Sequence, residues 1–276
     1  MKTSTQLKAL IRNLSKSKNI EAEILLRSFM FERFLERVSL SVYKDSFILK
    51  GGMLIAAMIG VDTRTTMDLD ATIKKRIISR TDVSKIIEDI LCISIDDGVM
   101  FSLRDIQLIH EEADYPGYRV SITASLEKTR QIIKIDLSSG DPITPREIEY
   151  NYQLMFEDRS INIMTYNLET ILSEKFESII SRGTTNSRMR DFYDIYILTK
   201  LLELNPATFI TALARTTENR GTNEQMSDAN NAIEIIKNNA IMKDLWQKYS
   251  INHTYADGVT WDTVINALHG LAKLLK

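Results

Sequence analysis

Hydrophobic positions recur at helical spacing through the first forty residues. Apolar side chains repeat at intervals of three and four from Leu7 to Leu14, and again from Ile24 to Val38. This period predicts helices within residues 4–43, with a break at Lys16–Asn19.

Shorter apolar runs follow, and the period then changes. Phe47–Leu49 leads into the glycine turn Lys50-Gly51-Gly52, and Met53–Ile59 predicts one buried helix that ends at Gly60. From Thr66 the apolar residues alternate, as they do in half-buried strands. The pattern predicts strands at 66–73, 99–109, 118–126 and 130–138, a helix at 82–92, and turns at Asp96–Gly98, Tyr115–Gly117 and Glu127–Thr129.

Ser139-Gly140-Asp141-Pro142 is expected to close the sheet region, and after Asn167 the period is helical to the end. The helices are predicted at 168–181, 188–203, 206–216, 228–248 and 260–275. Strands followed by a run of helices indicate the α+β class, with a mixed sheet flanked by helices and an α-helical C-terminal lobe. We place the boundary near residue 160, giving a catalytic lobe with the N-terminal helices at 1–160 and an α-helical lobe at 161–276.

Composition narrows the possible functions. The chain has 276 residues, 44% of them hydrophobic, and a formal net charge of -2, so nucleic-acid binding would depend on a local basic patch such as Arg182–Arg190. A single cysteine, Cys92, excludes an intrachain disulfide framework. The histidines His110, His253 and His269 are dispersed and are expected to be surface or core residues. No apolar stretch approaches the length of a membrane span, and we expect a cytoplasmic protein.

Asp68 and Asp70 carry the strongest chemical signal. In a strand both carboxylates point to one face, about 6–7 Å apart. Two like charges gain little there unless a cation neutralises them, and hard oxygen ligands suit Mg²⁺. The alternative is a solvated strand edge.

The glycine turn supplies a second part of such a site. Gly51-Gly52 allows close backbone approach to phosphate oxygens, the following helix start directs N–H groups toward them, and Lys50 adds charge. The alternative is an ordinary helix-entry turn.

Asp136 lies in a second strand, opposite the face of its apolar neighbours. If that strand neighbours residues 66–73, three carboxylates converge, two metal ions could bind there, and one carboxylate could take up the acceptor proton. A strand-end aspartate is the alternative.

Polar residues also interrupt two apolar helix rows. Lys175 lies within the row of the helix from 168 and either extends its charged end to water or meets an anion, for which we favour a triphosphate. Asp191 breaks the next row in a first helical turn, where the helix dipole alone would favour it; Asp194 is equally eligible.

Arg64 either binds a carboxylate or phosphate or forms a surface ion pair. Arg190, with Arg182 and Arg188, either engages phosphates or is a solvated turn.

Taken in order, these motifs resemble the AbiEii/AbiGii toxin-type nucleotidyltransferases. The resemblance spans residues 47–198 and rests on the following segments: Lys50-Gly51-Gly52, Thr63–Asp70, Ile135–Ser138, Ser173-Glu174-Lys175 and Arg188–Asp194. It implies a DNA polymerase β-type nucleotidyltransferase fold in a toxin of type IV toxin–antitoxin or abortive-infection systems. It also implies nucleotide transfer from an NTP with Mg²⁺, with the acceptor end of tRNA as a substrate of related toxins, and a cognate antitoxin encoded nearby.

The resemblance also implies roles for single residues. Gly51 and Gly52 would hold the triphosphate and Asp68 and Asp70 the metal. Lys175 and Asp191 would complete the site from the helical lobe, which would thus contribute to the active site. Gly52 stands where many relatives have serine, and Arg190 where lysine is common.

Three hypotheses follow. The first is a toxin that transfers NMP to RNA, with tRNA as the favoured acceptor. The others are a small-molecule nucleotidyltransferase of the aminoglycoside type and a non-catalytic nucleotide- or partner-binding protein. The presence of Asp68, Asp70, Asp136 and Lys175 together favours an enzyme.

Overall fold

The computed structural model describes residues 3–74, 78–109 and 117–275, which divide into two units. The first unit comprises Met1–Gly140 and Ile148–Thr165, and the second comprises Asp141–Glu147 and Tyr166–Lys276. Residues 115 and 116 of the predicted turn and His110 lie outside the described residues.

The first unit contains the sheet. Its elements are α1 (Ser4–Lys18), α2 (Ala22–Leu40), β1 (Phe47–Lys50), α3 (Gly51–Ile59), β2 (Leu69–Ile73), α4 (Arg80–Leu91), β3 (Val99–Ile109), β4 (Gly117–Leu126), β5 (Thr129–Ser138), β6 (Ile148–Gln153) and β7 (Ser160–Thr165). The seven strands lie in the order β3-β4-β5-β2-β1-β7-β6. β2 pairs with β5 and β1 with β7 in parallel, and the other neighbours are antiparallel. The mixed sheet predicted from the sequence is therefore confirmed.

One face of this sheet belongs to the core. Along β5, Ile133, Ile135 and Leu137 are buried while Lys134 is exposed. α2 packs against β5 and β7, and α4 packs against β3. The period-two alternation thus separates an apolar face under the helices from a polar face that carries Asp136.

α2 also carries charged residues into the core. Arg37 donates to both carboxylate oxygens of Asp97, at 2.8 and 3.1 Å, and both side chains are buried. Glu32 is 2% exposed and accepts from the Met155 backbone N–H at 3.1 Å. Burial raises the pKa of Glu32 to about 8, although the Met155 hydrogen bond acts in the opposite direction.

The second unit is helical. Its helices are α5 (Leu168–Arg182), α6 (Met189–Leu201), α7 (Pro206–Arg220), α8 (Asn223–Ser227), α9 (Ala229–Asn238), α10 (Ala240–Asn252) and α11 (Trp261–Ala272). Short 3₁₀ turns occupy Gly183–Thr185, Thr254–Ala256 and Lys273–Leu275. The Asn167 side chain caps α5 and donates to the carbonyls of Thr144 and Arg146, which joins the segment Asp141–Glu147 to this unit.

Three sequence predictions need correction. The sheet does not close at Ser139–Pro142, because β6 and β7 follow. The predicted strand 66–73 begins only at Leu69, and the predicted helix 228–248 is interrupted at Asn239. Asn239 is extended, and its side chain accepts from the N–H groups of Ile241 and Met242, so it starts α10 instead of continuing α9.

Within residues 3–74, 78–109 and 117–275, no helix is both long enough and apolar enough to cross a membrane.

Candidate active site

A row of charged residues crosses the polar face of the sheet. Asp70 on β2 lies opposite Lys50 on β1 and, in the parallel pairing on its other side, opposite Asp136 on β5. Asp136 in turn lies opposite Arg119 on β4. The sequence analysis required the strand of Asp136 to neighbour the strand of Asp70, and β5 and β2 are indeed direct neighbours.

Arg119 is the residue that sequence reasoning missed. Its Nε donates to Asp136 Oδ1 at 2.8 Å and its Nη2 to Asp136 Oδ2 at 2.7 Å, so the guanidinium engages both carboxylate oxygens. The pKa of Arg119 is raised, chiefly by these hydrogen bonds, with further contributions from the charges of Asp136, Asp68 and Asp70. The cluster therefore contains its own bidentate cation.

Asp68 precedes β2 and is not part of it. The Thr66 hydroxyl donates to the Asp68 carbonyl at 3.0 Å in this bend. Strand alternation therefore does not align Asp68 with Asp70, contrary to the sequence argument. Its negative charge still acts on Arg119, as that of Asp70 does, so Asp68 belongs to the same electrostatic cluster.

The glycine turn is fitted closely to Asp70. Gly51 begins α3 with a φ of +66°, a conformation that favours glycine, and a Cβ there would lie 2.7 Å from Asp70 Cγ. A Cβ on Gly52 would lie 2.7 Å from the Thr66 hydroxyl oxygen. Lys50, the N-cap residue of α3, makes no side-chain capping hydrogen bond. The start of α3, whose first backbone N–H groups have no partner within the helix, thus lies beside Asp70.

Arg64 lies beneath this turn. Its side chain is 1% exposed, which does not fit the surface ion pair considered from the sequence. It donates to the Thr65 carbonyl and approaches Gly52, where a Cβ would lie 3.2 Å from its Nη2. Arg64 is thus a buried cation behind the helix start.

In the second unit, Lys175 joins α5 to α6. Its Nζ lies 2.7 Å from Asp191 Oδ1 and 2.8 Å from Asp194 Oδ2. Asp194 is fully buried, whereas Asp191 and Lys175 each retain 14% side-chain exposure. Lys175 therefore pairs with both of the α6 aspartates that the sequence offered as candidates. The anions beside it in this structure are these carboxylates, where the sequence analysis favoured a triphosphate.

Three arginines of the same unit lie close together in the sequence between the end of α5 and the first turn of α6. Arg182, Arg188 and Arg190 are all exposed. They form a local basic patch on a chain whose overall charge is slightly negative.

The carboxylates of the first unit fit Mg²⁺ in part. Asp70 and Asp136 are neighbours on adjacent strands, and Mg²⁺ usually takes one or two carboxylates together with substrate phosphates. Among the described residues, however, no three His, Cys, Asp or Glu side chains are arranged to hold a metal ion by themselves. These side chains thus suit a metal ion that is also bound by substrate phosphates. Both carboxylate oxygens of Asp136 already accept hydrogen bonds from Arg119.

Two of the dispersed histidines are described, and each has a protein partner. The His253 ring stacks on Tyr249 with centroids 4.2 Å apart, and His269 Nε2 lies 3.0 Å from a Glu234 oxygen.

Comparison with known families decides the assignment. The sequence profile of the family described as "Nucleotidyl transferase AbiEii toxin, Type IV TA system" matches residues 33–267. The chain belongs to the AbiEii family. It is accordingly a toxin-type nucleotidyltransferase of the type IV toxin–antitoxin kind, and membership of this family implies an NTP substrate and an antitoxin partner.

Three solved structures are similar to this chain at low identity, and the first of them shows the same fold. JHP933 from Helicobacter pylori is 15% identical, with a TM-score of 0.50 and 92% of each chain covered. A second H. pylori chain, described as a candidate nucleotidyltransferase, is 16% identical, with a TM-score of 0.49 and coverage of 92% of this chain and 95% of that one. An antigenic nucleotidyltransferase-like protein from Paracoccidioides brasiliensis is 14% identical, with a TM-score of 0.37 and coverage of 84% and 94%. No curated protein sequence matches this chain.

Proposed function

We propose that this AbiEii-family toxin transfers a nucleoside monophosphate from an NTP to the 3′ hydroxyl of an RNA, the acceptor end of tRNA, in a Mg²⁺-dependent reaction. The observation that carries the proposal is the register of Asp70 with Asp136, beside the glycine start of α3. This register, beside the backbone N–H groups of a helix start, supports a site for a metal-bound triphosphate.

The roles follow from position. The N–H groups at Gly51 and Gly52 would bind triphosphate oxygens, and Lys50 would add positive charge. Asp68, Asp70 and Asp136 would share Mg²⁺ with oxygens of the triphosphate, and the ion when bound neutralises charge on the phosphates and on the acceptor oxygen. Arg64, buried behind the turn, would support the phosphate site electrostatically.

In the reaction the acceptor hydroxyl oxygen forms a bond to the α-phosphorus, the bond to the β-phosphate oxygen breaks, and pyrophosphate leaves. Asp136 would accept the hydroxyl proton, a role open to a carboxylate that is 20% exposed. Lys175 and Asp191 would also be required for nucleotide transfer.

The basic patch supports RNA as the acceptor. Exposed Arg182, Arg188 and Arg190 offer guanidinium groups to backbone phosphates, which dominate nucleic-acid affinity. The choice of tRNA rests on the resemblance to toxins that modify its acceptor end. A role in abortive infection belongs to the same proposal.

The test compares Asp68→Ala and Asp70→Asn with Asp158→Ala, which removes an exposed carboxylate from the same unit. Each purified protein is incubated with each radiolabelled NTP, Mg²⁺ or EDTA, and either purified tRNA or total RNA. We expect label on the tRNA 3′ end with wild type and Asp158→Ala, loss of transfer in both site variants with unchanged circular dichroism, and loss with EDTA.

Mass spectrometry of cellular RNA after brief expression gives an independent readout of added 3′ nucleotides. Full activity of Asp68→Ala and Asp70→Asn would contradict the assigned site. Label on an aminoglycoside in place of RNA would contradict the acceptor, and failure of wild type to bind Mg²⁺–NTP in calorimetry would contradict the reaction itself.

A further inference from the structure

The carboxylates of Asp68, Asp70 and Asp136 repel one another, and without a bound nucleotide no substrate metal is present to neutralise them. Asp70 and Asp136 occupy register positions on adjacent strands, about 4.8 Å apart. Asp68 adds a third negative charge to the cluster. Like charges at this spacing are unfavourable unless a cation neutralises them.

Lys50 lies opposite Asp70 in the register, and Arg119 supplies a cation to Asp136 from within the chain. Its two hydrogen bonds to Asp136 use both oxygens of the carboxylate, at 2.8 and 2.7 Å. A divalent ion that coordinates Asp136 has to share an oxygen that already accepts from Arg119, and the positive charge of the guanidinium beside that oxygen repels the ion. Arginine stays protonated at all physiological pH values, so this charge is not removed by titration.

The pair is also placed where it can open. Side-chain exposure is 36% for Arg119 and 20% for Asp136, so the guanidinium has water on one side. By contrast, the ion pair of Arg37 with Asp97 is only 3–4% exposed. A released Arg119 would lie on the same sheet face as the carboxylates, and phosphate oxygens would offer it the same bidentate geometry that it leaves.

We propose that Arg119 is a resident counter-ion which keeps free divalent cations away from Asp136, and that it leaves this carboxylate when a metal-bound triphosphate arrives. The triphosphate brings the metal that replaces the guanidinium and the oxygens that receive it. This role rests on the proposed function for the identity of the ligand, and it makes metal binding depend on nucleotide.

The test measures Mn²⁺ binding to the full chain without nucleotide, by calorimetry or by the electron paramagnetic resonance signal of free Mn²⁺. Wild type is compared with Arg119→Gln and with a matched control, Arg130→Gln. Arg130 is an exposed arginine of the same strand as Asp136, on the same face and six residues away, or about 20 Å. The control therefore removes the same charge without touching the cluster.

We expect Arg119→Gln to bind Mn²⁺ about tenfold more tightly or better, the size of effect that a lost charge-assisted hydrogen-bond pair produces. Arg130→Gln should behave as wild type. Arg119→Lys, which keeps the charge but loses the fork geometry, should be intermediate. The double variant Arg119→Gln/Asp136→Asn should return to weak binding, which assigns the gain to Asp136.

A second measurement uses a non-hydrolysable NTP analogue. In wild type the analogue should strengthen Mn²⁺ binding at least tenfold more than it does in Arg119→Gln, because the variant no longer needs the exchange. Equal Mn²⁺ affinity in wild type and Arg119→Gln, equal gains in Arg119→Gln and Arg130→Gln, or a gain that persists in the double variant would each overturn the proposal. None of these readouts depends on transfer, so absence of RNA labelling with these Mn²⁺ results intact would refute the proposed function and support the counter-ion role.

Discussion

Replacement of Gly51 by alanine separates two costs that the structure places at one residue. The backbone cost comes from φ of +66°, and an L side chain in this region costs about 1 kcal/mol. The packing cost comes from Asp70, because the new Cβ would lie 2.7 Å from Cγ and 2.8 Å from Cβ of that residue. Overpacking of this kind costs about 1–3 kcal/mol, so Gly51→Ala should lose about 2–4 kcal/mol in total.

Gly221→Ala is the matched control. Gly221 has a φ of +64° at the end of α7, and among the described atoms nothing lies within 4 Å of the Cβ that alanine would add. This variant should lose only the backbone cost of about 1 kcal/mol. Melting followed by circular dichroism should therefore show a decrease two- to fourfold larger for Gly51→Ala, at about 2–4 °C for each kcal/mol.

The two variants should differ further in activity. Gly51→Ala must displace the Asp70 carboxylate, and a shift of about 1 Å in a reacting group can reduce the rate about 100-fold. Gly221→Ala should transfer nucleotide as wild type does in the labelled RNA assay. Equal melting temperatures for the two variants, or full transfer by Gly51→Ala, would refute the close fit between the glycine turn and Asp70.

Two further predictions concern buried charge. Because the folded-state pKa of Glu32 is raised to about 8, from about 4.5 when unfolded, its stabilising effect is complete below pH 4.5 and is lost as the pH rises toward 8. Glu32→Gln should remove this pH dependence of the free energy of unfolding. In urea unfolding between pH 5 and 8, the variant should therefore gain about 1.4 kcal/mol of stability relative to wild type for each pH unit. Parallel pH profiles of the two proteins would contradict the raised pKa. In the second unit, Asp194→Asn should lower the free energy of unfolding by about 3 kcal/mol and Asp191→Asn by about 1 kcal/mol, because only Asp194 is fully buried beside Lys175; equal losses in urea unfolding would contradict that difference.

Periodic segments of the fold were predictable because burial imposes their period. β3 lies at the predicted residues 99–109, and β4 and β5 begin one residue earlier than predicted. β6 and β7 were both missed. β7 is an interior strand of only six residues, whereas β6 is an edge strand in which Tyr152 is the one buried side chain. An edge strand needs no apolar alternation, so its sequence gives a weak signal.

The candidate site was predictable in residue type but not in pairing. Asp70 and Asp136 were recognised as strand aspartates on polar faces, and their adjacency depended on strand order, which local pattern does not encode. Arg119 lies in the predicted strand 118–126 on the polar face with Ser121 and Thr123. That alternation could have marked it as solvent-facing, but only the β4–β5 register places it opposite Asp136. Asp68, in contrast, was assigned to a strand because the bend at Thr66–Asp68 has no sequence period.

The parallel pairing of β1 with β7 has a consequence for synthesis on the ribosome. Ile48 of β1 pairs with Met164 of β7, which emerges long after β1, β2 and β5. Until then β1, which leads into Gly51, is an edge strand with unpaired backbone groups, a state prone to intermolecular pairing. The nascent toxin therefore cannot complete its sheet before residue 165 is available, and a chain that terminates at Gly140 would expose that edge permanently.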